Sequence, residues 1–271
     1  MKQKKKRPIP FYEKTVRSSP HKMLHAHFHE KHELYYLEKG KTKYFIENEL
    51  FLLEAGDMIF VPKQTFHKTD NSEDSGVERI LFTFDDADLG EDMQKYLSLL
   101  YKQKLIRMPP DKQYEVQSIF RQISQEEEKK QIDYAKMQQL YFKQLLILIS
   151  RHCEKAPEAS QDPTLMLVQD IAKYISEHVS ADLSLSALSR KYALSACYLS
   201  RTFKENTGIG LNEYINISRI TLAEQMLLSS KMTVTEVSFA CGYNDSNYFS
   251  SVFKKLKGVT PKKYMLTQAK K

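Results

Sequence analysis

The chain has 271 residues, enough for two domains that each bury a hydrophobic core. Its 41% hydrophobic and 28% charged content is that of a soluble globular protein, and no apolar run approaches the roughly 18 residues of a bilayer span, which excludes an integral membrane protein. The net charge of +7 is unevenly spread: residues 161–271 carry 14 Lys/Arg against 9 Asp/Glu, residues 8–160 carry 22 against 25, and Lys2, Lys4, Lys5, Lys6 and Arg7 supply the rest.

In chain order, residues 1–10 are expected to be a basic disordered tail that solubilises the end of the chain. Met1 to Arg7 is basic like the start of a signal peptide, but Pro8, Pro10 and polar residues follow where an apolar core would stand, so a cytoplasmic location is expected. Cys153, Cys197 and Cys241 lie far apart with no paired spacing, which argues against a disulfide framework or a zinc knuckle. From Leu34 to Phe84 the chain reads in short β-branched and aromatic bursts, such as Tyr44-Phe45-Ile46, Met58-Ile59-Phe60-Val61 and Ile80-Leu81-Phe82. Gly40, Asn48, Gly56-Asp57 and Asn71 separate them. Residues 11–110 are therefore expected to form a small β-barrel or sandwich.

Residues 111–154 change period. Val116, Ile119, Phe120 and Ile123, then Met137, Leu140, Tyr141, Leu145 and Leu148, have helical spacing, with a solvated turn or helix extension at Gln125 to Gln131. Such helices either complete the barrel's core or form a dimer seam, and periodicity does not choose. Residues 155–163, small, charged and interrupted by Pro157 and Pro163, read as a linker to an all-helical segment, 164–271. The fold class expected is multidomain α+β.

The C-terminal segment repeats itself. Leu185, Leu188 and Ala193 recur 49 residues later as Val234, Val237 and Gly242. After a slip of one, Tyr198-Leu199-Ser200, Phe203-Lys204, Gly208 and Tyr214 recur as Tyr248-Phe249-Ser250, Phe253-Lys254, Gly258 and Tyr264. Each copy reads as a short helix (Leu185 to Tyr192, or Val234 to Cys241), a tight turn, and a longer helix ended by glycine. Ser195 caps the longer helix of the first copy and Asn244 or Asp245 that of the second. Gly242 suits the turn; Ala193 must adopt the same backbone with strain. This is the helix-turn-helix layout, whose second helix enters the major groove. A long helix over Leu211 to Leu228 would join the two copies rigidly.

Val234-x-x-Val237-x4-Gly242-Tyr243, Tyr248-Phe249-Ser250-x-x-Phe253-Lys254-x3-Gly258-x-Thr260-Pro261-x-x-Tyr264 resembles the signature of the AraC/XylS family of transcription regulators, and the first copy resembles that family's first unit. The resemblance covers about residues 165–267. It implies contacts to double-stranded DNA from Ser195, Ala196, Cys197, Ser200, Arg201 and Lys204 of the first long helix. In the second they would come from Asp245, Ser246, Asn247, Ser250, Ser251 and Lys254. Arg201 suits the O6 and N7 of guanine and Asn247 suits adenine. Ser251 stands where many relatives carry arginine, so the second helix is expected to position more than it discriminates.

Five of the eight histidines are His25, His27, His29, His32 and His67. His27-x-His29-x3-Glu33-x6-Gly40, with Gly56-x5-Pro62-x4-His67-x3-Asn71, resembles the two motifs of the cupin barrel. His21 and Gln64 stand where that family's motifs carry glycine. The resemblance implies that His27, His29, Glu33 and His67 bind a polar small-molecule effector or a divalent metal, for which Zn, Fe, Mn and Ni suit the donors, the alternative being histidines that only line a wet barrel mouth. Phe28, Tyr35, Tyr44, Phe60 and Phe66 would supply stacking surface or plain core. Two families joined this way imply an effector-responsive regulator, usually an activator, often for carbohydrate metabolism, acting as a homodimer with RNA polymerase and needing no cofactor. Alternatives are a metal-dependent cupin isomerase or oxygenase and a metal-sensing regulator.

Overall fold

The structure is a computed structural model and describes residues 11–17, 21–22, 31–63, 65–71, 76–153, 162–229 and 232–268. The expected tail at 1–10, most of the linker at 155–163, and His25, His27, Phe28 and His29 lie outside the described residues. The chain divides into two compact units, Met1–Ala159 and Ser160–Lys271.

The strands of the first unit are β1 (Phe11–Arg17), β2 (His21–Lys22), β3 (His32–Lys39), β4 (Lys41–Ile46), β5 (Glu49–Glu54), β6 (Met58–Val61), β7 (His67–Asn71), β8 (Val77–Phe84) and β9 (Leu105–Ile106). They form two antiparallel sheets, ordered β1-β8-β3-β6-β9 and β2-β7-β4-β5. Two short helices, α1 (Asp86–Leu89) and α2 (Gln94–Lys102), interrupt the strands before β9, where the sequence reading had barrel throughout. The helices α3 (Pro110–Lys129) and α4 (Tyr134–His152) follow, so Gln125 to Lys129 extends α3 rather than opening a turn.

The first sheet is covered on both faces. Leu34, Tyr36, Met58, Phe60, Ile80, Phe82 and Phe84 face the helices and pack with Phe120, Ile123, Phe142 and Leu145. Tyr35, Leu37, Ile59, Val61 and Val77 point the other way, into the space between the sheets, against Tyr44, Ile46 and Leu53. Successive side chains alternate between faces, so a strand buried on both reads as a continuous apolar run, as in 34–37 and 58–61. The Gly56-Asp57 turn is held by Arg107, whose Nε and Nη2 donate to the buried Asp57 carboxylate at 2.8 and 2.6 Å. Helices α3 and α4 therefore complete the barrel's core on one side, and they leave Tyr114 and Leu140 exposed on the other.

The second unit is all helical, with α5 (Pro163–Glu177), α6 (Leu185–Tyr192), α7 (Ala196–Thr207), α8 (Leu211–Ser229), α9 (Val234–Ala240), α10 (Ser246–Lys257) and α11 (Pro261–Gln268). Pro163, placed in the linker by composition, is the first residue of α5; its missing N–H costs nothing there, and Asp162 caps the helix by accepting from the N–H groups of Thr164 and Leu165. Around α8, Leu199 and Phe203 of α7 are buried with Leu188, Tyr214 and Ile215. Phe249 and Phe253 of α10 are buried with Val237, Ile220, Ala223 and Leu227.

Candidate nucleic-acid interface and barrel site

The two helix-turn-helix copies close their turns in the same way. Leu194 N–H donates to Ser189 O at 3.1 Å, and 49 residues on Tyr243 N–H donates to Ser238 O at 3.0 Å. Ala193 has φ 53 and Gly242 φ 84, both left-handed. Ser195 caps α7 by accepting from Tyr198 N–H, and Asp245, not Asn244, caps α10 by accepting from Asn247 N–H. The cap lies two residues after Ala193 but three after Gly242, so the one-residue slip of the repeat sits in the turn and leaves both helices at 12 residues. Both end on glycine in the left-handed region, Gly208 (φ 71) and Gly258 (φ 74).

Phe203 and Phe253 hold one face of each helix down, and the opposite face is open. Ser195, Ala196, Cys197, Arg201 and Lys204 are exposed and Ser200 is half-buried; Asp245, Asn247, Ser251 and Lys254 are exposed, and Ser246 and Ser250 are half-buried. All twelve residues named from the sequence thus lie on α7 and α10 or at their caps. The side chains of Arg201, Lys204 and Lys254 form no hydrogen bond or ion pair with any described residue. By contrast, Lys257 pairs with Glu224 at 2.6 Å.

The sequence reading missed Arg219 of α8. Its Nε donates to Val179 O at 3.0 Å, its Nη2 to Ala181 O at 3.3 Å, and its guanidinium lies over the Tyr243 ring at 5.4 Å. Tyr243 Oη donates to Asn216 Oδ1 at 3.0 Å, and burial raises the pKa of that phenol. This cluster ties the loop before α6 to the turn before α10. Nothing local marks it, because its partners are backbone carbonyls some 40 positions away.

In the barrel, Glu33 and His67 face the space between the sheets. Tyr44 Oη donates to Glu33 Oε1 at 2.6 Å, and His67 Nε2 stands 3.8 Å from Glu33 Oε2. Thr65 O can only accept, so His67 Nδ1, 3.0 Å away, carries a proton and the ring presents Nε2 to Glu33. Burial, then the Glu33 carboxylate, raises the pKa of the Tyr44 phenol, which stays a hydrogen-bond donor. Two of the four residues named from the cupin motifs are therefore neighbours, and His27 and His29 lie outside the described residues. Among the described residues no three His, Cys, Asp or Glu side chains converge as a metal site. The Glu33 and His67 pair suits a ligand hydroxyl or two corners of a cation site. Tyr35 and Tyr44 line the interior, their ring centroids 5.3 Å apart, whereas Phe60 belongs to the helix-facing core.

His32 points away from that interior, into the helix-facing core, fully buried against Phe60, Phe84 and Tyr101. Lys63 N–H donates to its Nδ1 at 3.0 Å, so the proton is on Nε2, which donates to Asp86 Oδ1 at 3.1 Å. Burial lowers its pKa, against the raising influence of Asp86. Asp85 and the Lys63 ammonium, paired with Asp86, complete its charged surroundings. A lowered folded value means that the unfolded chain takes up more protons, so stability is lost as pH falls below the unfolded value near 6.5, levelling off below the folded one. Thermal melts from about pH 7.5 to about pH 5 are expected to show this decline, with a flatter profile for His32→Asn; identical profiles would contradict it.

The family model of a helix-turn-helix domain matches residues 188–266, and that of a cupin domain matches residues 15–84. The chain is 25% identical over 238 residues to the HTH-type transcriptional activator RhaR of Mannheimia succiniciproducens, covering 88% of this chain and 86% of that one. It is 23% identical over 243 residues to the HTH-type transcriptional activator RhaS of Escherichia coli O1:K1 / APEC, covering 84% and 83%. It is also similar to the solved C-terminal domain of AraT, a response regulator from Geobacillus stearothermophilus, at 34% identity, 40% of this chain, 88% of that one and a TM-score of 0.37. No helix among the described residues is long and apolar enough to cross a membrane. A duplicated helix-turn-helix built on one central helix, in a chain that also carries a cupin barrel, defines a DNA-binding transcription regulator. The chain carries a helix-turn-helix domain of the AraC family together with an N-terminal cupin domain.

Proposed function

We propose that the protein is a cytoplasmic transcription activator that binds DNA through α7 and α10 and answers to a polar small molecule, a sugar or sugar derivative, held in the barrel. The observation that carries the DNA reading is the set of exposed cations on the two recognition helices, Arg201, Lys204 and Lys254, none engaged by the fold. Such groups neutralise phosphates and read base edges. Ser195, Ala196, Cys197 and Ser200, with Asp245, Ser246, Asn247, Ser250 and Ser251, supply the remaining contacts. The Glu33, Tyr44 and His67 cluster, with the Tyr35 ring packed edge-on against Tyr44, supports the effector reading, because hydroxyl groups match its donors and acceptors and a sugar ring stacks on aromatic faces. Activation is carried over from the relatives' names, and no enzymatic step is assigned. The protein acts as a homodimer through α3 and α4, whose outer groove, about 670 Å³, is lined by Tyr114, Leu140, Ile147 and Arg151. RNA polymerase is its partner at the promoter.

A duplex selected from random sequence tests the bipartite reading. Two boxes about 34 Å apart, one helical turn, should bind together, and inserting about five base pairs between them should reduce the affinity to that of one box. Unchanged affinity would mean that only one helix reads DNA.

A further inference from the structure

We propose that Arg79 is an anion-binding subsite inside the barrel and that the effector is therefore an acidic polyol, such as an aldonate or a uronate. This rests on the reading above that the barrel holds the effector. On β8, Ile80, Phe82 and Phe84 face the helices, so Val77, Arg79 and Leu81 face the barrel interior. The Arg79 side chain is 11% exposed, and its guanidinium lies over the interior Tyr35 ring at 5.7 Å. It forms no hydrogen bond with any described residue. Its Nε is fully buried, and its ionic contact is a loose 3.9 Å approach to the half-exposed Glu13. On β7, Thr69 stands opposite Tyr44, so it also faces the interior; it is 2% exposed and its Oγ1 has no partner.

An arginine keeps its charge at any ordinary pH, and a buried charge without hydrogen bonds lowers stability. Folds retain such an arrangement where a ligand completes it. The planar guanidinium fits a carboxylate through two parallel hydrogen bonds, and Thr69 offers a hydroxyl alongside. The other pole of the same interior is Glu33 with Tyr44 and His67, a place for ligand hydroxyls and unsuited to a second anion. Glu33 and Tyr35 are two residues apart on one face of β3, about 7 Å at the rise of a strand, and Arg79 sits over Tyr35. That separation matches one monosaccharide carrying hydroxyls at one end and a carboxylate at the other.

The test is calorimetric titration of the full chain with gluconate, galactonate, glucuronate and galacturonate, against glucose and galactose as neutral counterparts. An acid is expected to bind at least about tenfold more tightly than its neutral counterpart, and Arg79→Met to lose at least about that factor. Ligand-free Arg79→Met should melt at or above the parent's temperature, because removal of an unsatisfied buried charge relieves the fold. A purely structural arginine would lower it. Equal binding of acid and neutral sugar, unaffected by Arg79→Met, would overturn the anion subsite while leaving a barrel effector intact. Binding of neither class would overturn both.

Discussion

Gly242→Ala is expected to destabilise the C-terminal unit by about 2 to 4 kcal/mol. Gly242 has φ +84, a conformation that costs an L-residue about 1 kcal/mol or more. The added Cβ would also stand 2.8 Å from Val179 O and 3.0 to 3.1 Å from the Arg219 guanidinium. The guanidinium can shift; the carbonyl is backbone and cannot do so alone. Moving either strains the Arg219 Nε to Val179 O hydrogen bond that ties the two helix-turn-helix units together. Differential scanning calorimetry should show the unit's melting temperature falling on the order of 10 °C or more. The reciprocal change in the first copy, Ala193→Gly, removes a left-handed alanine at φ 53 and should be neutral or stabilise by up to about 1 kcal/mol. A Gly242→Ala variant that melts with the parent would show that the two units are not held by this contact.

Arg201→Ala is expected to weaken binding to a selected operator by about 1 to 3 kcal/mol, about 5- to 150-fold, while leaving the melting temperature unchanged. The side chain is exposed and makes no intramolecular hydrogen bond or ion pair with the described residues, so its removal costs the fold nothing. Base preference at one operator position should relax with it. Lys204→Ala and Lys254→Ala should act differently, weakening all sequences alike and reducing the slope of affinity against salt by about 1 each. Fluorescence anisotropy at several salt concentrations separates the two patterns. Should Arg201→Ala weaken operator and random duplex equally, Arg201 contacts phosphate and not base.

The two domains, the duplicated helix-turn-helix and its capping residues were legible in the sequence because each is a local rule repeated. Leu185 and Leu188 space an apolar stripe, Ser195 and Asp245 supply oxygen to a helix start, and Gly208 and Gly258 stop a helix. Thr233-x-x-Glu236, which closes a reciprocal cap on α9, was equally local and went unread. The Glu33 and His67 pair was found through motif spacing, although 34 positions separate its members.

Sequence determined which faces of α7 and α10 are apolar, where each helix stops, where α7 starts and where α10 starts to within one residue, and that the C-terminal half holds a module made twice. Tertiary structure decided the rest. Only the pairing of β3 with β8 brings Arg79 over the Tyr35 ring. Packing alone brings Arg219 to the carbonyls of Val179 and Ala181. Hydrophobic periodicity reports the side of an element that leaves water, since that depends on neighbours three or four residues away. Which distant charge or carbonyl is met on that side depends on chain crossings, and these leave no periodic trace.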